Sequence, residues 1–456
     1  MLSIDLGRRY YPFFSNARVE NAVIRGSRIR AAILVPPLSK VVFLNETAYE
    51  ILKLLSRRLS LEEVVEVLAE RYRASREVIK RDVVEFVSSA IREGFITEKE
   101  HGSVPVHKLE APPPPLLRGY LSFPVDVDVE VTRKCNMKCL HCYSSASIEG
   151  RDLPIEVIEE LASELAARGA LRVMLGGGEP LIRSDLPDIV RLFSEKGIAV
   201  LLSTNGLLFD ESIGRELYLA GLRVIQFSLD GLGGTHDRVR GVPGAFKKVT
   251  EAVKTAKELG FTVLVKTVVM RDNLAEIPRL LGFVDALRVD MYSFNRAVPS
   301  GRARENWSRV HVSYADYEKV LRSLKGLMAG CRTAVRFEER APGGAQRLSG
   351  EPSVCNAGVT YISLDSELYL KPCSFFPRGF SCGKLYESWR TLNDAWHGCA
   401  LLKVLRSLTF EELEEPCRSC RRCYGGCRAA AILTFGRLKA PDPLCPLVEG
   451  VRLAGG

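Results

Sequence analysis

Between residues 121 and 300, short apolar runs alternate with amphipathic stretches, and this alternation restricts the possible folds more than any other feature. The runs predict six strands, near residues 125–131, 171–175, 198–203, 224–229, 262–269 and 289–294. Between them, stretches such as 155–168 place Ile158, Leu161 and Leu165 on one helical face. Six successive strand-helix units predict an α/β fold with a parallel sheet curled into a partial (βα)6 barrel, whose chemistry lies at the carboxyl ends of its strands.

A small helical unit precedes this barrel. Residues 41–100 contain three helical patterns with start signals at Asn45, at Ser60 and at Ser75, and the third pattern stops at Gly94. These helices and their flanking strands predict a winged-helix-like module.

Prolines and cysteines mark the remaining boundaries. Four consecutive prolines at 112–115 can neither pair in a sheet nor continue a helix, so they predict a semi-rigid spacer. We therefore expect a module over 1–105, a proline-rich linker over 106–120, the barrel over 121–300 and a third, irregular, metal-stapled domain over 301–456.

The thirteen cysteines are clustered rather than scattered. Three fall within 135–142 and four within 417–427, with vicinal C-x2-C spacings that suit a metal centre better than disulfides. Cys331 and Cys399 fit no such motif and are interpreted as disulfide or plain core residues. The chain has only two glutamines, which suggests a thermophilic source, where cytosolic disulfides are tolerated.

Composition argues against a membrane or nucleic-acid role. With 46% apolar residues the chain has no window resembling a membrane span, and its N-terminus lacks a signal-peptide pattern, so we expect a cytoplasmic protein. The net charge of +9 is more typical of a solvated surface than of a nucleic-acid partner. Residues 41–100 hold twelve acidic against ten basic side chains, which argues against DNA binding there.

The segment after the first barrel strand carries Cys135, Cys139 and Cys142. A cubane 4Fe-4S cluster needs four corner ligands, so three cysteines leave one iron open to bind another molecule. This C-x3-C-x2-C loop at the mouth of a barrel resembles the radical SAM family, in which the open iron chelates S-adenosylmethionine. His141 is expected to pack against the cluster.

Polar groups at the following strand ends match the same family. Gly176-Gly177-Gly178-Glu179-Pro180 resembles its GGEP segment beside the methionine amino group, where a carboxylate suits an ammonium. Each motif alone is more often a turn, but in register with the cysteine loop they indicate a site. The resemblance implies that the cofactor is bound by Tyr143, Gly177, Gly178, Glu179, Pro180, Ser203, Asn205, Ser228, Asp230 and Arg240.

The resemblance also implies a mechanism. An electron from the reduced cluster cleaves S-adenosylmethionine to methionine and a 5'-deoxyadenosyl radical, which abstracts a hydrogen from the substrate. An external donor such as ferredoxin or flavodoxin would supply the electron. The protein's part is positioning, electrostatics and exclusion of water.

The C-terminal cysteines resemble the SPASM domain, which carries auxiliary iron-sulfur clusters. The resemblance implies one cluster on Cys417, Cys420, Cys423 and Cys445, and another on Cys355, Cys373 and Cys427, with Cys382 as the candidate eighth ligand. Two departures affect this assignment: two residues separate Cys420 from Cys423 where the family usually has five, and Leu368 stands where it usually has glycine. Zinc bound by C-x2-C pairs is the alternative.

The N-terminal module resembles the small peptide chaperone of the pyrroloquinoline quinone pathway, through segments such as Phe43-Leu44-Asn45 and Glu93-Gly94-Phe95-Ile96. Such modules bind the leader of a precursor peptide as an added strand, which implies a ribosomally made peptide as substrate. Two alternatives remain open. One is tetrapyrrole chemistry as in alternative haem biosynthesis, with Arg296, Arg302 and Arg304 suiting a porphyrin carboxylate, and the other is an iron-sulfur redox sensor with a winged-helix output.

Overall fold

The computed structural model describes residues 4–24, 27–100, 104–337, 355–420 and 425–448. Contacts within the chain divide it into two compact units, residues 1–125 and 126–456. Each unit has its own sheet and its own buried core.

The described part of the first unit combines a small, mostly antiparallel sheet with three helices. Its elements are the strands β1 (Tyr11–Pro12), β2 (Asn16–Ile24), β3 (Ser27–Val35), β4 (Lys40–Leu44), β5 (Ile96–Thr97) and β6 (Leu117–Arg118) and the helices α1 (Glu46–Ser56), α2 (Leu61–Tyr72) and α3 (Arg76–Glu93). The larger sheet has the order β4-β3-β2-β6, and β1 pairs with β5. The long β2-β3 hairpin, upstream of the segment interpreted as helical, was not predicted.

The three predicted helices of this unit are confirmed, together with their start signals. Asn45 accepts a hydrogen bond from the N–H of Ala48, and Ser60 forms a capping box with Glu63 at the start of α2. Helix α3 ends at Gly94, whose φ of 84° lies in the left-handed region that favours glycine. The likeness to a winged helix stays a prediction.

The segment predicted as a linker is partly built into the first unit. β6 pairs in parallel with β2, and Leu109 is fully buried in the core of this unit. The hydroxyl of Tyr49 donates to the carbonyl of Leu109 at 2.5 Å. The four prolines themselves are not in a strand or a helix, as expected, but the residues around them pack as part of the unit rather than as a spacer.

The second unit contains the barrel and the cysteine-rich region. Its strands are β7 (Asp126–Thr132), β8 (Arg172–Gly177), β9 (Ala199–Thr204), β10 (Val224–Ser228), β11 (Thr262–Val269), β12 (Met291–Arg296), β13 (Ala334–Phe337), β14 (Tyr361–Leu364) and β15 (Leu370–Lys371). Its helices are α4 (Ile155–Ala167), α5 (Leu186–Ser194), α6 (Glu211–Leu219), α7 (Gly234–Arg240), α8 (Ala245–Glu258), α9 (Ile277–Ala286), α10 (Arg302–Glu305), α11 (Trp307–Val310), α12 (Tyr314–Met328), α13 (Leu392–Gly398), α14 (Ala400–Ser407), α15 (Cys417–Cys420) and α16 (Arg428–Phe435).

The six predicted barrel strands are confirmed as β7 to β12, each within two residues of its expected bounds. They are parallel neighbours in sequence order, because each strand is followed by a helix that returns the chain to the opposite end of the sheet. Aliphatic side chains of β7 and β8, such as Val127 and Val173, are almost fully buried. This arrangement brings the carboxyl ends of all six strands to one edge.

The sheet does not stop at six strands. β13 extends it beyond β12, and β14 pairs in parallel with β7 and then in antiparallel fashion with β15, so the described residues form a sheet of nine strands. These three strands come from residues 301–456, the region expected to be irregular. The cysteine-rich region therefore contributes to the same sheet as the barrel.

Candidate active site

The cysteine loop, residues 135–142, follows β7 and is held on one side by the end of β8. The N–H of Gly178 donates to the carbonyl of Thr132, and the N–H of Glu179 donates to the carbonyl of Lys134, both at 2.8 Å. A Cβ atom on Gly178 would lie 2.0 Å from the oxygen of Lys134. Glycine is required here because no side-chain carbon can approach a carbonyl so closely.

The other side of the cysteine loop is held by residues just after β12. Arg302 donates from Nε to the carbonyl of Cys139 at 3.0 Å and from Nη1 to the carbonyl of Ala146 at 2.9 Å. The hydroxyl of Ser300 donates to the carbonyl of Tyr143 at 2.9 Å. These contacts fix the loop from the far end of the barrel sheet.

A cavity of about 340 Å³ lies inside the barrel beneath this loop. All three cysteines of the loop line it, as do the ends of strands β7 to β12. Its further lining includes Asp128, Glu130, His141, Tyr143, Gly176, Gly177, Gly178, Ser203, Thr204, Asn205, Gln226, Ser228, Arg240, Lys266, Asn295, Arg302, Tyr361, Ser374 and Phe375. The carboxyl ends of the strands, where the chemistry was expected, therefore surround a single cavity.

Glu179, from the GGEP segment, lies behind the cavity wall and is fully buried. Its carboxylate accepts hydrogen bonds from the hydroxyl of Thr204 at 2.7 Å, the N–H of Asn205 at 2.7 Å and the N–H of Leu181 at 3.0 Å. Burial raises the pKa of Glu179, although these donors oppose the shift. In this structure the carboxylate ties the end of β8 to the end of β9.

A second buried carboxylate, Asp230, pairs with Arg240. Nη2 of Arg240 lies 2.6 Å from Oδ2 of Asp230, and its Nη1 donates to Sγ of Cys139 at 3.7 Å. Burial is the largest single effect and would raise the pKa of Asp230, but the Arg240 guanidinium together with the neighbouring histidines and the N–H of Val268 outweighs it, so the pKa lies below its usual value. Arg240 therefore links the end of β10 to the cysteine loop.

Two histidines complete this network in their neutral forms. Burial lowers the pKa of His141 and of His236 to about 4. The backbone N–H of Asp230 donates to Nδ1 of His236 at 3.1 Å, which is possible only when that nitrogen carries no proton. His141 lines the cavity beside the cysteine loop, and Asp230 and His236 lie outside the lining.

The environment of Cys135 and Cys139 suits metal ligands rather than nucleophiles. Burial raises the pKa of Cys135 to about 12 and raises that of Cys139, where the Arg240 guanidinium opposes the shift. A thiol that is reluctant to ionise can still bind iron, because the metal takes the place of the proton. Buried polar atoms without a hydrogen-bond partner among the described residues also border the cavity, namely Nε of Arg240, Nη2 of Arg302 and Oδ1 of Asn295. These residues fit a cluster on three thiolates with a polar co-substrate beside it.

The cofactor-binding residues expected from the sequence divide into two groups. Those that line the cavity are Tyr143, Gly177, Gly178, Ser203, Asn205, Ser228 and Arg240. Those that lie outside the lining are Glu179, Pro180 and Asp230, all of them buried. A direct cofactor contact from either group stays a prediction.

Several lining residues were missed. Asp128 and Glu130 alternate with valines on β7. Acidic residues at every second position of a buried strand indicate that one face of the strand lines a polar site, and this pattern was visible in the sequence. Tyr361 and Phe375 reach the cavity from the cysteine-rich region, which no local pattern indicates.

Of the predicted C-terminal ligands, three lie near one another. The pKa of Cys417 is raised by burial and by Cys445, and the pKa of Cys445 is raised by burial and by Cys420. The fourth member of this predicted set, Cys423, lies outside the described residues. For the other set, the N–H of Cys427 donates to the carboxylate of Asp442 at 2.7 Å.

The remaining members of the second set, Cys355 and Cys373, are exposed and half-buried respectively. Leu368, five residues before Cys373, has a φ of 72°. Glycine adopts this conformation without the cost that a leucine bears, which gives a physical reason for the usual glycine at this position. The departure from the family pattern therefore concerns the side chain and not the backbone.

Cys382 is not available as an iron ligand in this structure, so its prediction as the eighth ligand is wrong. It forms a disulfide with Cys399, with Cα atoms 5.5 Å apart. The two side chains are 7% and 3% exposed, which shields the bond from thiols in solution. Of the two alternatives for Cys399, the disulfide is confirmed.

Alkylation of unfolded, unreduced protein is expected to leave Cys382 and Cys399 unlabelled, and prior reduction should make both react, as read by peptide mass spectrometry. Replacing Cys399 by serine should lower the free energy of unfolding by about 3 kcal/mol, because the bond closes a loop of 17 residues. Cys331→Ser is the matched control, since Cys331 is not in a disulfide. Labelling of Cys382 without reduction would contradict the assignment.

Within the described residues, no three His, Cys, Asp or Glu side chains converge on a point where a single metal ion would bind. In a cubane cluster each cysteine binds a different iron, so its ligands need no such convergence. Zinc in the cysteine-rich region stays an untested alternative.

Comparison with known proteins identifies the class of protein to which this fold and cavity belong. Residues 129–284 match the radical SAM superfamily, and residues 31–96 match coenzyme PQQ synthesis protein D. The chain is 34% identical over 352 residues to the Fe-coproporphyrin III synthase of Methanosarcina barkeri, covering 70% of this chain and 87% of that protein. This chain belongs to the radical SAM superfamily.

Two further relatives are similar over most of their length. The PqqA peptide cyclase of Granulibacter bethesdensis is 27% identical over 348 residues, covering 71% of this chain and 87% of that protein. The crystal structure of Streptococcus suis SuiB bound to S-adenosylmethionine superposes with a TM-score of 0.65 at 18% identity, covering 95% of this chain and 98% of SuiB. SuiB bound to its precursor peptide SuiA gives a TM-score of 0.63 at 17% identity, with 94% and 98% coverage.

Membership of the superfamily makes the chain an enzyme that uses a 4Fe-4S cluster and S-adenosylmethionine. The alternative of a redox sensor that consumes no S-adenosylmethionine is therefore set aside. None of the described helices combines the length and the apolar character that crossing a membrane requires.

Proposed function

We propose that this enzyme is a peptide maturase, which binds the leader of a ribosomally made precursor through its N-terminal unit and modifies the core of that peptide. The observation that carries the proposal is the match to coenzyme PQQ synthesis protein D at residues 31–96, in the same chain as a radical SAM match. The likeness to SuiB, a protein crystallised with a precursor peptide, supports it.

The N-terminal unit offers an edge for such a leader. In the described part of this unit, β4 pairs with β3 on one side and with no other strand. An extended peptide can add to such an edge through main-chain hydrogen bonds. We infer that the leader binds along Lys40–Leu44.

In the second unit, the residues of the cavity prepare the reaction. We propose that Cys135, Cys139 and Cys142 hold the cluster, with Arg240 oriented toward Cys139 by its pairing with Asp230. A cluster held there, once reduced by an external donor such as ferredoxin or flavodoxin, would cleave bound S-adenosylmethionine and so supply the radical that abstracts a substrate hydrogen. The enclosing barrel excludes water from that radical.

The cysteines of the C-terminal region complete the proposal. We infer auxiliary iron-sulfur clusters on Cys417, Cys420, Cys423 and Cys445 and on Cys355, Cys373 and Cys427, from the SPASM-like spacing. The mutual effects among Cys417, Cys420 and Cys445 support the first set. With Cys382 bonded to Cys399, the second set has three proposed cysteine ligands.

A tetrapyrrole substrate is the second candidate, favoured by the 34% identity to an Fe-coproporphyrin III synthase. Of the three arginines expected to bind a porphyrin carboxylate, Arg296 lies outside the cavity lining, with its guanidinium 5.0 Å from the ring centroid of Tyr317, and the other two donate to backbone carbonyls. Arg302 donates to the carbonyls of Cys139 and Ala146, and Arg304 donates to the carbonyl of Leu433 at 3.0 Å. Because the cavity is also lined by two buried carboxylates, described below, we favour the peptide.

The test is binding of the leader encoded by a short gene beside this one, followed by fluorescence anisotropy. We expect removal of residues 1–110 to abolish binding. Two proline variants, Val41→Pro and Val42→Pro, separate leader binding from folding. Successive N–H groups of a strand point to opposite sides, so one of these prolines removes an N–H that faces β3 and the other removes an N–H at the free edge of β4. We call the second of these the free-edge variant.

The free-edge variant should fold normally yet bind the leader at least about tenfold more weakly, because an edge strand tolerates proline. Its partner variant should lower the melting temperature and serves as the control. Leader affinity that survives both the truncation and the free-edge proline would refute the proposed role of this unit.

A further inference from the structure

The floor of the cavity carries two carboxylates from one strand. Asp128 and Glu130 lie two residues apart on β7, so their side chains share the face that lines the cavity. They are 7% and 3% exposed. Burying two carboxylates in a strand whose neighbours are valines is costly, and such groups are retained where they serve a function.

Each carboxylate has one oxygen that is left without a hydrogen-bond donor among the described residues. For Asp128 it is Oδ1, while Tyr361 donates its hydroxyl proton to Oδ2. For Glu130 it is Oε2, while Nζ of Lys371 lies 4.0 Å from Oε1. The two unbonded oxygens therefore belong to side chains that line the same space.

The positive charges nearby do not neutralise both acids. Lys371 is shared with Asp365, which lies 3.7 Å from its Nζ. Lys266 lines the cavity and lowers the pKa of Asp128, but burial outweighs it and raises that pKa to about 7. Burial likewise raises the pKa of Glu130. Lys371, Arg133 and Arg378 oppose the shift of Glu130, but burial outweighs them, so a further cation beside either acid would favour its charged form.

An aromatic pair stands beside the acids. The rings of Tyr143 and Phe375 lie 5.1 Å apart, centroid to centroid, and both line the cavity. The two rings and the two carboxylates therefore line the same space. Aromatic faces next to carboxylates suit a cation on an apolar stem.

We propose that this acidic floor, Asp128 and Glu130 with the Tyr143–Phe375 pair, binds the ammonium or guanidinium group of a lysine or arginine side chain in the substrate peptide. The inference rests on the proposed function and names its substrate more closely. A porphyrin propionate would instead face two carboxylates and be repelled.

The test uses two capped pentapeptides, Gly-Gly-Lys-Gly-Gly and Gly-Gly-norleucine-Gly-Gly, which differ in the ammonium group. They are titrated by NMR into the reconstituted full-length enzyme with S-adenosylmethionine bound. We expect the lysine peptide to bind at least about tenfold more tightly, as for one charge-assisted hydrogen bond in a buried site. Asp128→Asn, which keeps an acceptor for Tyr361, should reduce this preference to less than about threefold.

Glu211→Gln is the control for the loss of one negative charge, because this exposed carboxylate pairs with Arg215 and lies outside the cavity lining. It should leave the preference unchanged. If Asp128→Asn loses its cluster iron, Glu130→Gln serves as an independent second variant. The comparison of the two peptides on the wild-type enzyme tests the inference without any variant.

Equal affinity for the two peptides would overturn the inference and leave the leader-binding test of the maturase untouched. A weaker affinity for S-adenosylmethionine in Asp128→Asn would also overturn it, since the acids would then serve the co-substrate. Tight binding of Fe-coproporphyrin III, seen as a shift of its absorption, together with equal peptide affinities would overturn both the inference and the peptide maturase.

Discussion

Replacing Cys135, Cys139 and Cys142 together by alanine is expected to abolish formation of 5'-deoxyadenosine from S-adenosylmethionine. The three thiols line one cavity beneath the cysteine loop, and no other described cysteine lines it. Without them, the cluster that receives the electron has no ligands. Chromatography of dithionite-reduced reactions should show the product at the level of an enzyme-free control.

Iron retained by this triple variant reports on the other predicted clusters. We expect the iron bound by the C-terminal cysteines to remain, since those cysteines are unchanged in the variant. Cys331→Ala is the control and should keep full activity, because Cys331 is half-buried and outside the cavity. Complete loss of iron from a folded triple variant would contradict the auxiliary clusters, and residual 5'-deoxyadenosine would contradict the triad.

Replacing Arg240 by methionine is expected to destabilise the protein by about 3–5 kcal/mol, because it leaves the fully buried carboxylate of Asp230 without its cation. In the wild type the pKa of Asp230 lies below its usual value, so its contribution to stability is present at neutral pH and is lost as the pH falls through that pKa. In Arg240→Met the guanidinium no longer opposes the effect of burial, so the pKa of Asp230 should rise. The free energy of unfolding should therefore decrease further as the pH rises from 5 to 8, as measured with urea.

The double variant Asp230→Asn with Arg240→Met should recover part of this loss, because it removes the charge that was left unpaired. Arg215→Met, which breaks an exposed pair with Glu211, is the control and should cost less than about 0.5 kcal/mol. An Arg240→Met protein as stable as the wild type, or one whose loss does not depend on pH, would refute the role assigned to this ion pair.

The parts of the fold that local patterns determine were predicted well. Apolar runs set the six barrel strands, and the side chains of Asn45 and Ser60 set the starts of α1 and α2, because caps and periodicity act within a few residues. The pairing of β2 with β3 was missed, since the segment before residue 41 was left unassigned.

What the sequence did not reveal depends on contacts between distant segments. The hydroxyl of Tyr361 meets Asp128 across 233 residues, and no spacing rule joins them. Glu179 matched its motif, yet its carboxylate is used by Thr204 and Asn205 rather than facing the cavity. Cys382 was assigned by elimination among the cysteines, whereas proximity to Cys399 in the fold decides its bond.

The parallel pairing of β14 with β7 also has a kinetic consequence. Closing so long a loop is entropically slow, and parallel strands far apart in sequence are late contacts in folding. The newly made chain would therefore pass through a stage in which β7 to β12 are assembled while the flank beside Asp128 is still open. Docking of β14 would then bring Tyr361 to Asp128 and complete this flank of the cavity.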